Sequence, residues 1–579
     1  MWRNNEDKSS YKKFIVKNKI ILLLFIVLFV LLSIRLFFLQ IINGNKYAFI
    51  SERQRLFSRY EHAPRGVIYS ADNIVLAENK FSYAVLFYTN QNQKKLINHI
   101  NNIPGDDVNF YVSNNVFTKL IYNLSMEDVL KILESKSNTN NFMILKESHR
   151  IYHKPKVMSH IIGYISEIKH NELKQFGYHI GDYIGRGGIE QYYDQYLKGQ
   201  SGELQIEVNA KGNPTKVFQY ISPSVGADVY STIDFNLQQV AYNALKNSTT
   251  GIGAVVVLDI KTGAIKALVS CPGFNLNKMG IHNEFKKYCL DKRFPFFNRA
   301  IQAVYSPGSI FKIITFIASM EILHTKISQK CCCPGYFQLG NRKYVCWCKS
   351  GHGIINLINA TALSCNVYFY QLGIKLGIYN LIKYAKTFFL GTKTGIDLPN
   401  EKSGFIPSPR WKHKHFCIPW FQGDTAIFAV GQGALGVTVL QMAYLIAGIA
   451  NHGVFYEPYI VDRIVKDNVQ VFKHRVKFKK TISINNLTYT ALQTALLETV
   501  EYGTGRRAQL QDIKIAGKTG TAQNNKGKPH AWFVSYAPTE NPKIAVAVLI
   551  ENGGSGGMQA VPISKKIYQS YFKIIKKNE

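Results

Sequence analysis

The chain has 579 residues, and at roughly 150 residues per domain it must carry more than one hydrophobic core, which excludes a small single-core module. With 46% hydrophobic, 13% aromatic and 18% charged residues it is not compositionally disordered. Its 70 Lys+Arg against 37 Asp+Glu leave a net charge of +33, which points to nucleic acid, an anionic membrane or an acidic polymer, or else to a general residue-usage bias; composition does not choose among these.

The first element is apolar. Ile20 to Ile34 is interrupted only by Ser33 and continues past Arg35 to Ile42, close to the ~20 residues that span a bilayer. Arg3, Lys8, Lys12, Lys13, Lys17 and Lys19 precede it against Glu6 and Asp7. This bias predicts a cytoplasmic tail over 1–19, one transmembrane helix over 20–42, and the remainder outside the inner membrane. A cleaved signal peptide is the alternative. Against it, the run is long for such a segment, and Asn43-Gly44-Asn45 offers no small-x-small cleavage site. Export of the chain argues against a nucleic-acid partner.

From Ser51 to about Val225, short alternating strand candidates such as Phe81 to Phe87 mix with polar loops such as Asn138 to Asn141. This is read as an elongated α+β region without a nucleophile constellation. A turn-rich joint at Ser222 to Gly226 ends it. Gly253 to Ser270 reads as a hairpin about Asp259 to Gly263, helices follow, and Trp532 to Tyr536 and Ile544 to Ile550 return to strand, with an amphipathic helix over Ile563 to Lys577. Strands from both ends with helices between them predict an α+β domain whose sheet joins its two ends. All nine cysteines fall between Cys271 and Cys417, and an odd count excludes complete intramolecular pairing.

Ser309-Ile310-Phe311-Lys312 follows Pro307-Gly308 and opens an apolar stretch, which predicts Ser309 in the first turn of a helix with the Lys312 amine on the same face. Serine needs a base to become a nucleophile, and a lysine serves once desolvation or a second cation lowers its pKa. The motif alone is weak: Ser9, Ser10, Ser166 and Ser570 also begin S-x-x-K without that context. Lys-Thr-Gly occurs at Lys261, Lys393 and Lys518, but only Lys518-Thr519-Gly520-Thr521 leads out of an apolar strand (Ile513 to Ala516). There it would offer a cation and hydroxyls to a carboxylate, and Gly520 a close backbone approach. Ser364-Cys365-Asn366, between the two, supplies a hydroxyl and an amide.

In this order the three triplets resemble the S-x-x-K, S-x-N, K-T-G set of penicillin-binding proteins and serine β-lactamases. Tyr305 to Ser309, Gly351-His352-Gly353, Trp420 to Thr425, Gly431-Gln432-Gly433 and His530 to Phe533 narrow the likeness to the elongation-specific penicillin-binding protein 2 family. Arg65 to Tyr69 and Gly188 to Tyr193 resemble its N-terminal pedestal. The resemblance implies a pedestal over 43–225 and a β-lactamase-like transpeptidase domain over 226–579, an antiparallel sheet flanked by helices plus an all-helical part. It also implies a D,D-transpeptidase that crosslinks peptidoglycan stem peptides and is acylated by β-lactams. Ser309 would be the nucleophile, Lys312 its base, Ser364 the proton shuttle, Asn366 the amide anchor, and Lys518, Thr519, Gly520 and Thr521 the carboxylate site. The backbone N–H groups of Ser309 and Thr521 would form the oxyanion hole. Two lysines near one hydroxyl would supply the cation that depresses the base. Implied partners are a shape-type glycosyltransferase and elongation-complex membrane proteins; no organic cofactor is implied.

Cys333-x12-Cys346-x5-His352-x12-Cys365 offers four soft or borderline ligands, the number a closed zinc site requires. The spacing fits no standard zinc finger, disulfides are the alternative outside the cytoplasm, and Cys331, Cys332 and Cys348 are spare thiols. The family implies a structural zinc at these four positions, although its first two ligands are often aspartates. Among competing functions, a β-lactamase would need a Glu to activate water, and no convincing one is found. A β-lactam sensor would need a larger cytoplasmic region, and a carboxypeptidase differs only in its acceptor; a division-specific transpeptidase is the nearest alternative, against which the Cys/His cluster and the Trp420 to Thr425 stretch favour the elongation type, and a scaffold with a dead site is a further alternative although the full catalytic set is present.

Overall fold

The structure is a computed structural model that describes residues 6–88, 111–113, 117–134, 142–173, 178–179, 181–208, 214–524 and 527–578. The polar loop expected at Asn138 to Asn141 and the tail residue Arg3 lie outside these residues. The chain forms two compact units: residues 1–63, 81–147 and 200–224 make one, and residues 64–80, 148–199 and 225–579 the other.

In the smaller unit the helix Glu6–Phe37 continues through a π-helical turn, Phe38–Ile42, and is followed by Gly44–Arg55. Tyr11–Ile42 is 32 residues long with none of it buried; at 1.5 Å per residue it reaches about 48 Å, more than the ~30 Å of a bilayer core. One helix among the described residues is therefore long and apolar enough to cross a membrane. The same unit holds an antiparallel three-stranded sheet of Leu56–Glu61, Gly202–Val208 and Pro214–Ile221.

The larger unit is built on an antiparallel five-stranded sheet in the order Ile265–Cys271, Gly253–Asp259, Ile544–Ile550, His530–Ala537, Ala516–Ala522. The hairpin and the two late strands form as expected, and the sheet does join the two ends of this domain. Both faces are covered, which explains why Ile544 to Ile550 reads as apolar at every position. Val256, Leu258, Ala545, Ala547 and Leu549 pack toward the wholly buried helix Val439–Ala450. The alternate residues Val255, Val257, Val546 and Val548 pack with Leu237, Ile567 and Tyr568 of the helices Phe235–Lys246 and Gly556–Asn578. The last helix begins earlier than the expected Ile563 and contains Pro562 in its early turns.

Residues 64–80 and 148–199 pack in this larger unit although they precede residue 225 in the chain. A buried ion cluster holds them together. Arg65 donates to Glu190 Oε2 at 2.9 Å and Asp194 Oδ1 at 2.7 Å, and Arg150 donates to Glu190 Oε1 at 2.8 Å and to the Gly66 carbonyl at 2.8 Å. Glu190 is fully buried, and Arg150 and Arg65 hold its carboxyl below the usual range against the opposing effect of burial.

Candidate active site

Ser309 is half-buried in a 3₁₀ turn, Gly308–Phe311, and the α-helix Lys312–Ile322 begins at the lysine. The serine thus sits one turn earlier than a regular helix start would place it. The Lys518-Thr519-Gly520-Thr521 segment does not lead out of a strand: it lies within Ala516–Ala522, the edge strand of the five-stranded sheet, while Ile513 to Ile515 precede it. Two glycines permit the edge strand to lie against the Ser309 turn. Gly308 has a φ of +55°, and a Cβ there would come within 2.9 Å of the Thr521 carbonyl. A Cβ on Gly520 would lie 2.9 Å from the Trp532 side chain, 3.0 Å from the Pro307 carbonyl and 3.1 Å from Ile310.

Lys312 is fully buried, and its Nζ donates to the Ser364 carbonyl at 2.8 Å, to Ser364 Oγ at 3.3 Å and to Asn366 Oδ1 at 2.7 Å. These contacts bring the first and second triplets together. Ser364 occupies the left-handed region at φ +55°, a conformation uncommon for a non-glycine residue that surrounding contacts must hold. Asn366 opens the helix Asn366–Thr387.

Lys518 is also fully buried, and its Nζ reaches only the Thr519 carbonyl, at 3.4 Å; no carboxylate pairs with it among the described residues. Burial, with the Lys312 charge second, pulls it well below the usual lysine range. Burial lowers Lys312 to about 8, with the Cys365 and Cys346 thiols opposing. Burial is thus the first cause of the depression of both lysines, and the charge of one acts on the other.

Thr519 is less available than expected, since its hydroxyl bonds Thr504 Oγ1 at 2.6 Å. Thr521 is exposed; its hydroxyl accepts from the Gly556 N–H at 3.4 Å and its carbonyl from Gln432 Nε2 at 3.2 Å. Sequence reasoning missed Glu551, which joins the Ser309 approach to the sheet by accepting from Arg299 Nε at 2.7 Å and from the Tyr305 hydroxyl at 2.5 Å. It also left Trp532 as a motif residue only, although its indole N–H holds the Ser306 carbonyl at 3.1 Å. Neither shows a spacing signal, because each acts across the sheet on a distant segment.

The donor atoms of Cys333, Cys346, His352 and Cys365 lie within 4.8 Å of one another. His352 Nδ1 faces Cys333 Sγ at 3.5 Å and Cys346 Sγ at 3.6 Å. A hydrogen bond from the Cys365 thiol draws Cys346 down to about 4, and the same contact pushes Cys365 far up. All nine cysteines are free thiols, and Cys331, Cys332 and Cys348 stay outside the group. Three sulfurs and one imidazole, gathered at about the spacing of a tetrahedral shell, fit a thiophilic divalent ion. The group touches the second triplet directly, because Cys365 lies between Ser364 and Asn366 and the Asn366 N–H donates to Cys346 Sγ at 3.4 Å.

A serine before a buried, low-pKa lysine, a second serine held by that lysine, and an unpaired buried lysine on the adjoining strand define an acyl-transfer site of the penicillin-recognising serine type. Residues 253–569 match the family described as the penicillin binding protein transpeptidase domain, and residues 60–231 the penicillin-binding protein dimerisation domain. The peptidoglycan D,D-transpeptidase MrdA of Acinetobacter baumannii is 31% identical, the match covering 96% of this chain and 87% of that protein. MrdA of Escherichia coli K12 is 29% identical, with 90% and 88% covered. Among solved structures, PBP2 of Helicobacter pylori in complex with MreC superposes with a TM-score of 0.75 at 28% identity, covering 89% of this chain and 100% of that one. PBP2 of Pseudomonas aeruginosa in complex with WCK 5153 gives 0.66 at 26% identity, covering 89% and 96%. The chain belongs to the penicillin-binding proteins that carry a transpeptidase domain.

Proposed function

We propose that this protein is an elongation-type peptidoglycan D,D-transpeptidase, the activity named for its MrdA relatives. One observation carries the reading: Lys312 Nζ bridges Ser364 and Asn366 beside the Ser309 turn, while Lys518 stands buried without a counter-ion on the adjoining strand. Burial without a counter-ion lowers Lys518, and an entering carboxylate, such as the terminal D-Ala carboxylate of a stem peptide, would pair with it and restore its charge.

Ser309 Oγ gives its proton to neutral Lys312 and attacks the penultimate D-Ala carbonyl. The oxyanion that forms takes hydrogen bonds from the Ser309 and Thr521 N–H groups. The proton passes through Ser364 to the departing D-Ala amine, leaving an acyl-serine. An acceptor amine of a neighbouring stem then attacks the ester, Lys312 removes its proton, and Ser309 leaves as the alcohol. Asn366 orients the stem amide; Lys518, with Gly520 and the Thr519 and Thr521 hydroxyls, receives the carboxylate. Water in place of the amine gives D,D-carboxypeptidase activity by the same route.

In this reading residues 1–19 are a cytoplasmic tail, 20–42 an inner-membrane anchor, 43–225 the pedestal and 226–579 the transpeptidase domain, which faces the periplasm. Cys333, Cys346, His352 and Cys365 hold a structural zinc ion. A shape-type glycosyltransferase and elongation-complex membrane proteins are the partners; a solved relative, PBP2 of Helicobacter pylori, is in complex with MreC. The test is labelling with a fluorescent penicillin. Wild type is expected to form a covalent adduct and Ser309→Ala none, and an adduct that persists in Ser309→Ala would remove the reading.

A further inference from the structure

The chain on either side of Ser364 is gripped by one short segment, residues 345–347, which closes the hairpin Tyr336–Leu339/Arg342–Val345. On the near side the Trp347 indole N–H donates to the Leu363 carbonyl at 3.0 Å. On the far side Asn366 Nδ2 donates to the Val345 carbonyl at 3.4 Å and the Asn366 N–H to Cys346 Sγ at 3.4 Å. The two consecutive carbonyls of Leu363 and Ser364 are thus held by different donors, Trp347 and Lys312, the latter at 2.8 Å. Between them lies a serine at φ +55°, a backbone state that persists only where neighbouring contacts over-determine it.

Trp347 is placed for this task more than for packing. It is 59% exposed, and its ring meets only one other described ring, that of His352, at 5.4 Å between centroids. A side chain that buries so little gains little from the hydrophobic effect, so its fixed, directional contribution is the N–H, which phenylalanine in the same space would lack.

We propose that Trp347 is a positioning residue for Ser364: its indole N–H anchors the Leu363 carbonyl, holds the left-handed turn, and so keeps the Ser364 hydroxyl at Lys312 Nζ. The inference rests on the reading of Ser364 as the proton shuttle. It makes the cysteine-rich hairpin part of the catalytic geometry through a contact that needs no metal.

The test uses the full chain in detergent and the second-order rate of acylation by a fluorescent penicillin, for wild type, Trp347→Phe, Ser364→Ala and the double variant. Trp347→Tyr, which also lacks the indole N–H, is read in the same way as Trp347→Phe. Trp347→Phe is expected to acylate roughly tenfold more slowly, the kinetic counterpart of one lost neutral hydrogen bond, with unchanged thermal midpoint and metal content. On a Ser364→Ala background it is expected to cost nothing further, because both changes remove the same element. Full-rate acylation by both aromatic variants would overturn the proposal. So would an equal loss on the Ser364→Ala background, which would mark the ring as an independent contact to the ligand. Absence of Ser309-dependent labelling in wild type would instead remove the reading of the site on which the proposal rests.

Discussion

Lys312 and Lys518 are both fully buried but differ in company, and that difference assigns their work. Lys312 has three oxygen partners and is lowered by burial to about 8; Lys518 has one weak contact and is lowered by burial first and the Lys312 charge second. A lysine base works only when neutral, so its depressed pKa puts activity on the alkaline side. Acylation by penicillin is expected to rise as pH increases through about 8 and to level off above it. A stopped-time labelling series from pH 6 to 10 measures this, and a profile flat across that range would contradict Lys312 as the base. The steric fit at Gly520 is equally specific. Gly520→Ala must displace the Trp532 side chain or the Pro307 carbonyl, and overpacking of this kind costs about 1–3 kcal/mol. The variant is expected to melt lower and to acylate more slowly, since the displaced backbone leads into Ser309.

At the scale of elements, the motifs were legible in the sequence and their company was not. Ser309 stood out among five S-x-x-K serines because Pro307-Gly308 and an apolar run flank it, and Lys518 among three Lys-Thr-Gly lysines by its strand context. The hairpin and the late strands were equally readable, because apolar runs between turn residues leave few alternatives. Glu551, Thr504 and Trp347 escaped, since each acts on a residue brought near only by the fold, and no local pattern encodes such a contact. The same holds for Glu190, whose partner Arg65 lies 125 residues away. Glu190→Gln leaves two buried guanidinium groups short of their counter-charge, and breaking a buried pair of this sort costs about 3–5 kcal/mol. A marked fall in the thermal midpoint is the expected outcome. For the Cys/His group, purified wild type is expected to hold about one zinc per chain by elemental analysis. Cys365→Ser is expected to lose it, with weaker penicillin labelling as the Ser364 turn loosens. Wild type found metal-free with Cys346 in a disulfide would contradict the assignment.

At the scale of the whole molecule, one helix among the described residues is apolar and exposed along its length. None of Tyr11–Ile42 is buried against protein, so its removal exposes no core. A chain beginning at residue 43 is expected to leave the membrane fraction yet keep Ser309-dependent labelling at the wild-type rate. Loss of labelling on removal would mean that the anchor supports the catalytic fold. The charge of +33 takes its place here too: in the proposed topology its counterpart is the anionic wall polymer or lipid surface, or nothing more than residue usage. Sequence order divides the chain at residue 225, whereas packing joins residues 64–80 and 148–199 to residues 225–579; a linear reading has no means of registering such a return.

The close approach of Gly308 and Gly520 carries a consequence for how resistance can evolve. Any side chain at either position meets atoms at 3.1 Å or less, most of them backbone, so a substitution that narrows the cleft there to exclude a drug would also shift the Ser309 turn. Escape from an acylating inhibitor is therefore expected to leave both glycines unchanged, an expectation that serial passage under drug followed by sequencing would check.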